Sequence, residues 1–82
     1  MEGDVKKPTR KEVLDKIKFY LDHSDIKEKD DLLDLGCDSL DIMDLHMTLE
    51  DEFNIRFDRM SETSVKEIIN TTIKAVKQKQ EE

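Results

Sequence analysis

Apolar residues recur at helical spacing over three stretches of the chain. In the first, Val13, Ile17 and Leu21 form a stripe with Leu14 and Tyr20 beside it. Thr9, three residues before Glu12, supplies a capping box, so a helix is predicted over residues 10–22, with His23 and Ser24 at its C-terminal end. In the second stretch, Ile42, Leu45, Leu49 and Phe53 share one face, and Met43 and Met47 widen it. Asp38 is a good N-cap there, with Asp41 in the first turn, which predicts a helix from Ser39 to Phe53. In the third, Val65, Ile68, Ile69, Thr72, Ile73 and Val76 mark the buried side of a last helix, opened by Ser64 and Glu67.

The segments between these stretches are less regular. Residues 24–38 form a long acidic connection with room for a helical turn, anchored by Ile26, Leu32, Leu33 and Leu35. Gly36 ends it, either through positive φ or through close backbone approach. Residues 54–64 carry Ile55, Phe57 and Met60 and leave space for a short third helix. The pattern predicts an all-α fold, a small four-helix bundle whose third helix is short or irregular. A flexible leader is expected over residues 1–8, a folded domain over 9–76 and a frayed tail over 77–82.

Composition narrows the function classes. At 82 residues the chain makes one domain with a thin core. Its 35% hydrophobic and 43% charged content is polar enough for disorder, but the helical periodicity argues for folding. The net charge is −7 and uneven: residues 21–62 hold 4 basic and 14 acidic side chains, net −10. That segment repels nucleic acid and steers basic partners toward itself. Cys37 is the single cysteine, so no intrachain disulfide is possible, which fits a reducing compartment. Without an N-terminal apolar run or a stretch of about 20 apolar residues, a cytoplasmic protein with no membrane insertion is expected. One small bundle accounts for the apolar periodicity, so the expected state is a monomer.

Ser39 is the candidate for chemistry. As a nucleophile it would need a base and an orienting group. His46, seven residues on, lies about 10 Å along the helix, too far for a direct hydrogen bond. His23 offers no forced approach, so no catalytic residue is assigned and the protein is read as a non-enzyme. Two histidines and one cysteine make no zinc spacing. The acids Asp25, Glu28, Asp30, Asp31 and Asp34 lack the calcium-loop pattern and its central glycine, so no metal site is assigned. A serine at a helix N-terminus suits a different chemistry. A phosphate attached there faces unpaired N–H groups and the positive end of the helix.

The phrase Leu35-Gly36-Cys37-Asp38-Ser39-Leu40, followed by Asp41, Asp44-Leu45, Leu49-Glu50-Asp51-Glu52-Phe53 and Ile55, resembles the acyl carrier protein family over most of the chain. The resemblance implies an acyl-carrier bundle with 4'-phosphopantetheine, taken from coenzyme A, on Ser39, with Asp38 and Leu40 completing the attachment motif. It implies acyl cargo held as thioesters and presented to enzymes of fatty-acid, polyketide or related lipid biosynthesis. The implied partners are a phosphopantetheinyl transferase, an acyl-loading ligase or acyltransferase, and a ketosynthase or other acyl-processing enzyme. Their basic patches would dock on Asp38, Asp41, Asp44, Glu50 and Asp51. The mouth of an acyl cavity is implied near Leu40, Met43, His46 and Met47.

The chain departs from the family at several points. His46 stands where a small aliphatic residue is usual, and the simpler expectation is a partly exposed histidine at the edge of the apolar face. The connector after Phe53 is short and carries Arg56 and Arg59, and Asp30 and Asp31 fall near a usual apolar anchor. These features point to a specialised carrier rather than the housekeeping one. Cys37 has no adjacent cation to activate it and reads as a passive loop residue. Two alternatives stay open: an aminoacyl or peptidyl carrier, and an unmodified helical interaction protein that retains the fold.

Overall fold

The computed structural model describes residues 8–80, so the expected leader lies almost wholly outside the described residues. Three helices follow in order: α1 over Arg10–Leu21, α2 over Ser39–Phe53 and α3 over Val65–Gln80. Their starts are set by local chemistry. Thr9 Oγ1 accepts from the Glu12 N–H at 3.1 Å, and Glu12 Oε1 accepts from the Thr9 N–H at 2.8 Å. Asp38 and Asp41 make the same reciprocal pair at α2, at 2.9 and 3.4 Å. At α3 only half of the expected box is present: Ser64 Oγ accepts from the Glu67 N–H at 3.4 Å. Two helices end in left-handed residues, Asp22 after α1 (φ 54°) and Asn54 after α2 (φ 54°), which turn the chain sharply. α3 continues helical through Gln80, so part of the expected tail over 77–82 belongs to its last turn.

The helices bury one thin core. Val13 and Ile17 of α1, Ile42, Leu45 and Leu49 of α2, and Val65, Ile68, Ile69 and Val76 of α3 are all buried. Thr72 is buried too, and its Oγ1 donates to the Ile68 carbonyl at 2.8 Å, which satisfies the hydroxyl within the helix. Ile73, Leu14, Leu21 and Phe53 pack at the margin of this core. Tyr20 stands 40% exposed.

The two connections differ from expectation in instructive ways. In the first, Ile26 and Leu32 are buried and Leu35 packs against the core, but Leu33 is 58% exposed and anchors nothing. The backbone decides between the neighbours. The Leu32 N–H donates to the Thr63 carbonyl at 2.8 Å and the Val65 N–H to the Asp30 carbonyl at 3.1 Å, an antiparallel bridge that turns Leu32 inward. The unusual Asp30 and Asp31 serve this junction. Asp30 accepts from the Lys27 N–H at 2.9 Å, while Asp31 accepts from the Leu33 N–H at 2.9 Å and the Thr63 hydroxyl at 3.0 Å.

The second connection forms no helix, so the four-helix expectation gives way to three helices among the described residues. Ile55 and Phe57 are buried on either side of exposed Arg56, the period-two pattern of an extended chain. The Glu50 carboxylate accepts from the Phe57 N–H at 2.8 Å and holds that extended run on α2. Arg10 forks onto both Glu28 carboxylate oxygens and onto Asn70, joining α1, the first connection and α3. The hydrogen bond from Arg10, the largest influence, outweighs the opposing cost of burial and, with the lesser Coulombic pull of Arg10 and Lys66, holds the Glu28 carboxyl below its ordinary value.

Candidate functional site

The loop before α2 is built to deliver Ser39. Its last turn is tied back on buried Leu32: the Leu32 carbonyl accepts from the Leu35 N–H at 3.1 Å and from the Cys37 N–H at 3.0 Å. Gly36 sits between them at φ 92°, a left-handed conformation that glycine adopts without strain. A Cβ there would meet nothing within 4 Å, so backbone conformation, and not close approach, is why glycine stands at this point. The chain then enters Asp38 in extended form (φ −100°, ψ −178°) and starts α2 at Ser39.

Ser39 is exposed at the first helical position. The capping pair consumes the N–H groups of Asp38 and Asp41. The Ile42 N–H donates to the Asp38 carbonyl at 3.0 Å. The N–H groups of Ser39 and Leu40 meet no acceptor among the described residues. Two free donors at the positive end of a 15-residue helix suit an anionic phosphodiester on Ser39 Oγ. The carboxylates of Asp38 and Asp41 oppose that charge, but both are turned back into the capping box. The residues present therefore fit a phosphate-linked group on Ser39.

The side chains around Ser39 divide by helical direction. Leu40, Met43 and Met47 are 69%, 46% and 49% exposed, an apolar strip on the outside of α2 flanked by exposed Asp44 and Asp51. Met43 and Met47 thus do not widen the core face. Asp38 and Asp41 are exposed beside Ser39. Glu50 stands apart from the other acids, half-buried, with one carboxylate oxygen engaged by Phe57. Sequence reasoning missed that contact, because nothing in the spacing of residues 50 and 57 signals it.

His46 also departs from expectation. It is 1% exposed, not a partly exposed edge residue. Its Nδ1 lies 2.8 Å from the Ile42 carbonyl, and its ring meets Phe57 edge-on at 4.9 Å between centroids. The extended connector covers what would otherwise be an open position. The four residues expected at a cavity mouth are therefore split: Leu40, Met43 and Met47 face outward, while His46 lines a cleft of ≈ 560 Å³ between the connector and α3.

On the α1 side, a groove of ≈ 410 Å³ is lined by Tyr20, His23, Ile26, Leu35 and Cys37. Burial foremost, then the negative charges of Asp41 and Asp38, push the Cys37 thiol above its ordinary value. That shift disfavours the thiolate, the nucleophilic form of the side chain. Among the described residues no three metal-ligating side chains converge, and no helix is long and apolar enough to cross a membrane.

A family model described as "Phosphopantetheine attachment site" matches residues 11–74, well over half of the chain. That span takes in most of α1, all of α2, both connections and most of α3. No curated protein and no solved structure matches the chain.

Proposed function

The chain belongs to the phosphopantetheine-attachment family, a family of carriers that take 4'-phosphopantetheine covalently, and on that premise we propose that Ser39 is the attachment residue. One observation carries the assignment: Ser39 is an exposed hydroxyl at the first position of α2, beside two N–H groups that meet no acceptor among the described residues. Ser39 Oγ would lose its proton and bond to the pantetheine-side phosphorus of coenzyme A as the pyrophosphate P–O bond breaks and adenosine 3',5'-bisphosphate leaves, and the Ser39 and Leu40 N–H groups would receive the phosphate oxygens. Leu35 and Leu32 hold the preceding turn, so the hydroxyl is presented on a fixed platform. Once attached, the arm supplies a terminal thiol able to hold acyl groups as thioesters.

The protein is then a carrier of acyl intermediates for fatty-acid, polyketide or related lipid biosynthesis, with no catalysis of its own. His46 supports that reading, since it is buried with Nδ1 committed to the Ile42 carbonyl and is in no position to activate Ser39. The partners are a phosphopantetheinyl transferase and acyl-loading and acyl-processing enzymes. They would meet the strip Leu40, Met43 and Met47, with Asp41, Asp44 and Asp51 setting encounter rate and register. Asp38 contributes chiefly as the cap, and Glu50 is better placed to hold the connector than to dock a partner. The helix-free connector supports a specialised member of the family rather than a general one.

The test is intact-protein mass after incubation with coenzyme A, magnesium and a broad-specificity phosphopantetheinyl transferase. A gain of one phosphopantetheine group is expected for the native chain and none for Ser39→Ala. Equal gain in both would remove Ser39 from the assignment.

A further inference from the structure

His46 is the one buried imidazole of the described chain, and half of its hydrogen-bonding capacity has no protein partner. A carbonyl oxygen can only accept, so the contact at 2.8 Å makes Nδ1 the donor to Ile42. In the neutral ring this leaves Nε2 as an acceptor, and no donor reaches it among the described residues. A buried polar atom without a partner is uncommon and calls for an explanation. With Nδ1 turned to the backbone of its own helix, Nε2 is the ring nitrogen without a partner among the described residues, and His46 lines the cleft with Phe57, Ile68, Thr71 and Ala75.

The place of this cleft relative to Ser39 is fixed by helical geometry. Seven residues bring α2 back to within about 20° of the same direction, after a rise of about 10 Å. Ser39 and His46 therefore lie along one edge of α2, between the exposed strip and the core. A chain tethered at Ser39 and lying along that edge comes to the cleft at His46.

We propose that His46 Nε2 accepts a hydrogen bond from a hydroxyl on the cargo, so that this carrier shelters hydroxylated acyl chains in preference to plain ones. The inference rests on Ser39 as the attachment residue and deepens that reading by naming the cargo class. An apolar chain would fill the cleft against Phe57, Ile68 and Ala75 and leave Nε2 unsatisfied. An amino-substituted chain carries a donor but also a positive charge. The cleft is lined by Arg56, Arg59 and Lys74 against only Asp58 and Glu62, which disfavours an ammonium. A neutral hydroxyl meets both conditions.

The experiment loads the native chain with octanoyl-phosphopantetheine, with hydroxyoctanoyl isomers bearing the hydroxyl at successive positions, and with an aminooctanoyl chain. Intact mass first verifies loading on Ser39. Cleavage of each thioester by hydroxylamine is then timed and divided by the rate of the same thioester on free pantetheine. One neutral hydrogen bond is expected to protect the best hydroxyl isomer about fivefold more than the plain chain. On loading that isomer alone, the Nε2 nitrogen resonance of His46 should shift. His46→Phe keeps the ring against Phe57 but removes the acceptor, and His46→Gln keeps a side-chain acceptor. The preference should vanish in the first and persist in part in the second. Loaded native protein with no preference for any hydroxyl isomer, or with equal protection of the amino chain, overturns this inference alone. Failure to load Ser39 overturns the attachment assignment, and this inference with it.

Discussion

The outer and inner faces of α2 use similar side chains to opposite ends. On the inner face Ile42, Leu45 and Leu49 are all but fully buried. On the outer face Leu40, Met43 and Met47 keep about half or more of their surface in water. Folding explains the first set through the apolar area it removes from solvent. It does not explain the second, which gains nothing in the isolated molecule. The strip starts beside an exposed serine and is edged by Asp44 and Asp51, and the proposed docking of a partner would cover it. The comparison teaches that fold and function are written on one helix, about a third of a turn or more apart.

The comparison is broken most completely at Ser39. Ser39→Ala should lose all loading while leaving the thermal midpoint close to that of the native chain, read by mass and by circular dichroism. Its hydroxyl makes no hydrogen bond among the described residues, so stability has little to lose.

Next come matched truncations on the two faces. Leu49→Ala on the inner face should destabilise by about 2–5 kcal/mol, a large part of the stability of so small a domain. Leu40→Ala on the outer face should change stability by no more than about 0.5 kcal/mol, yet slow loading by the transferase. Urea unfolding and loading rates, measured on both variants, separate the faces. Comparable destabilisation by both would erase the distinction.

Charge gives a smaller effect. Asp44→Lys should slow loading severalfold at low salt, and the deficit should shrink as ionic strength rises and exposed charges are screened. Glu50→Ala sharpens the contrast. The Glu50 carboxylate accepts from the Phe57 N–H, and alanine leaves that donor without its partner, so stability should fall more than encounter slows. A salt-independent deficit for Asp44→Lys would show that the acid acts by contact geometry instead.

The smallest expected effect lies away from α2. Arg10→Gln removes the fork on Glu28 and should lower the midpoint by a small amount at neutral pH. The folded Glu28 carboxyl is held below its unfolded value, so its contribution is fully present above the unfolded pKa and is lost as pH falls through the folded one. The native and Arg10→Gln midpoints should therefore converge in acid. A difference that persists there would assign the effect to the Asn70 contact.

Much of this arrangement is legible in the residues. Thr9 with Glu12 and Asp38 with Asp41 mark two helix starts because each pair satisfies backbone donors locally, within four residues of sequence. The inner face of α2 is legible for a similar reason, since burial there follows helical period. The rest depends on contacts distant in sequence. Leu32 and Leu33 are equal as apolar neighbours until Thr63 pairs with the Leu32 N–H. Glu50 looks like one more exposed acid until the Phe57 N–H meets it. His46 looks like an edge residue until the same connector, extended rather than helical, lays Phe57 against its ring. Ser39 could be singled out by its motif, but the two free N–H groups beside it needed the backbone.

The most direct measurement is fragmentation mass spectrometry of the peptide spanning Leu35–Met43 from protein purified out of its native host. The account predicts 4'-phosphopantetheine on Ser39. A peptide wholly unmodified in folded protein, or the group on any other residue, would contradict it.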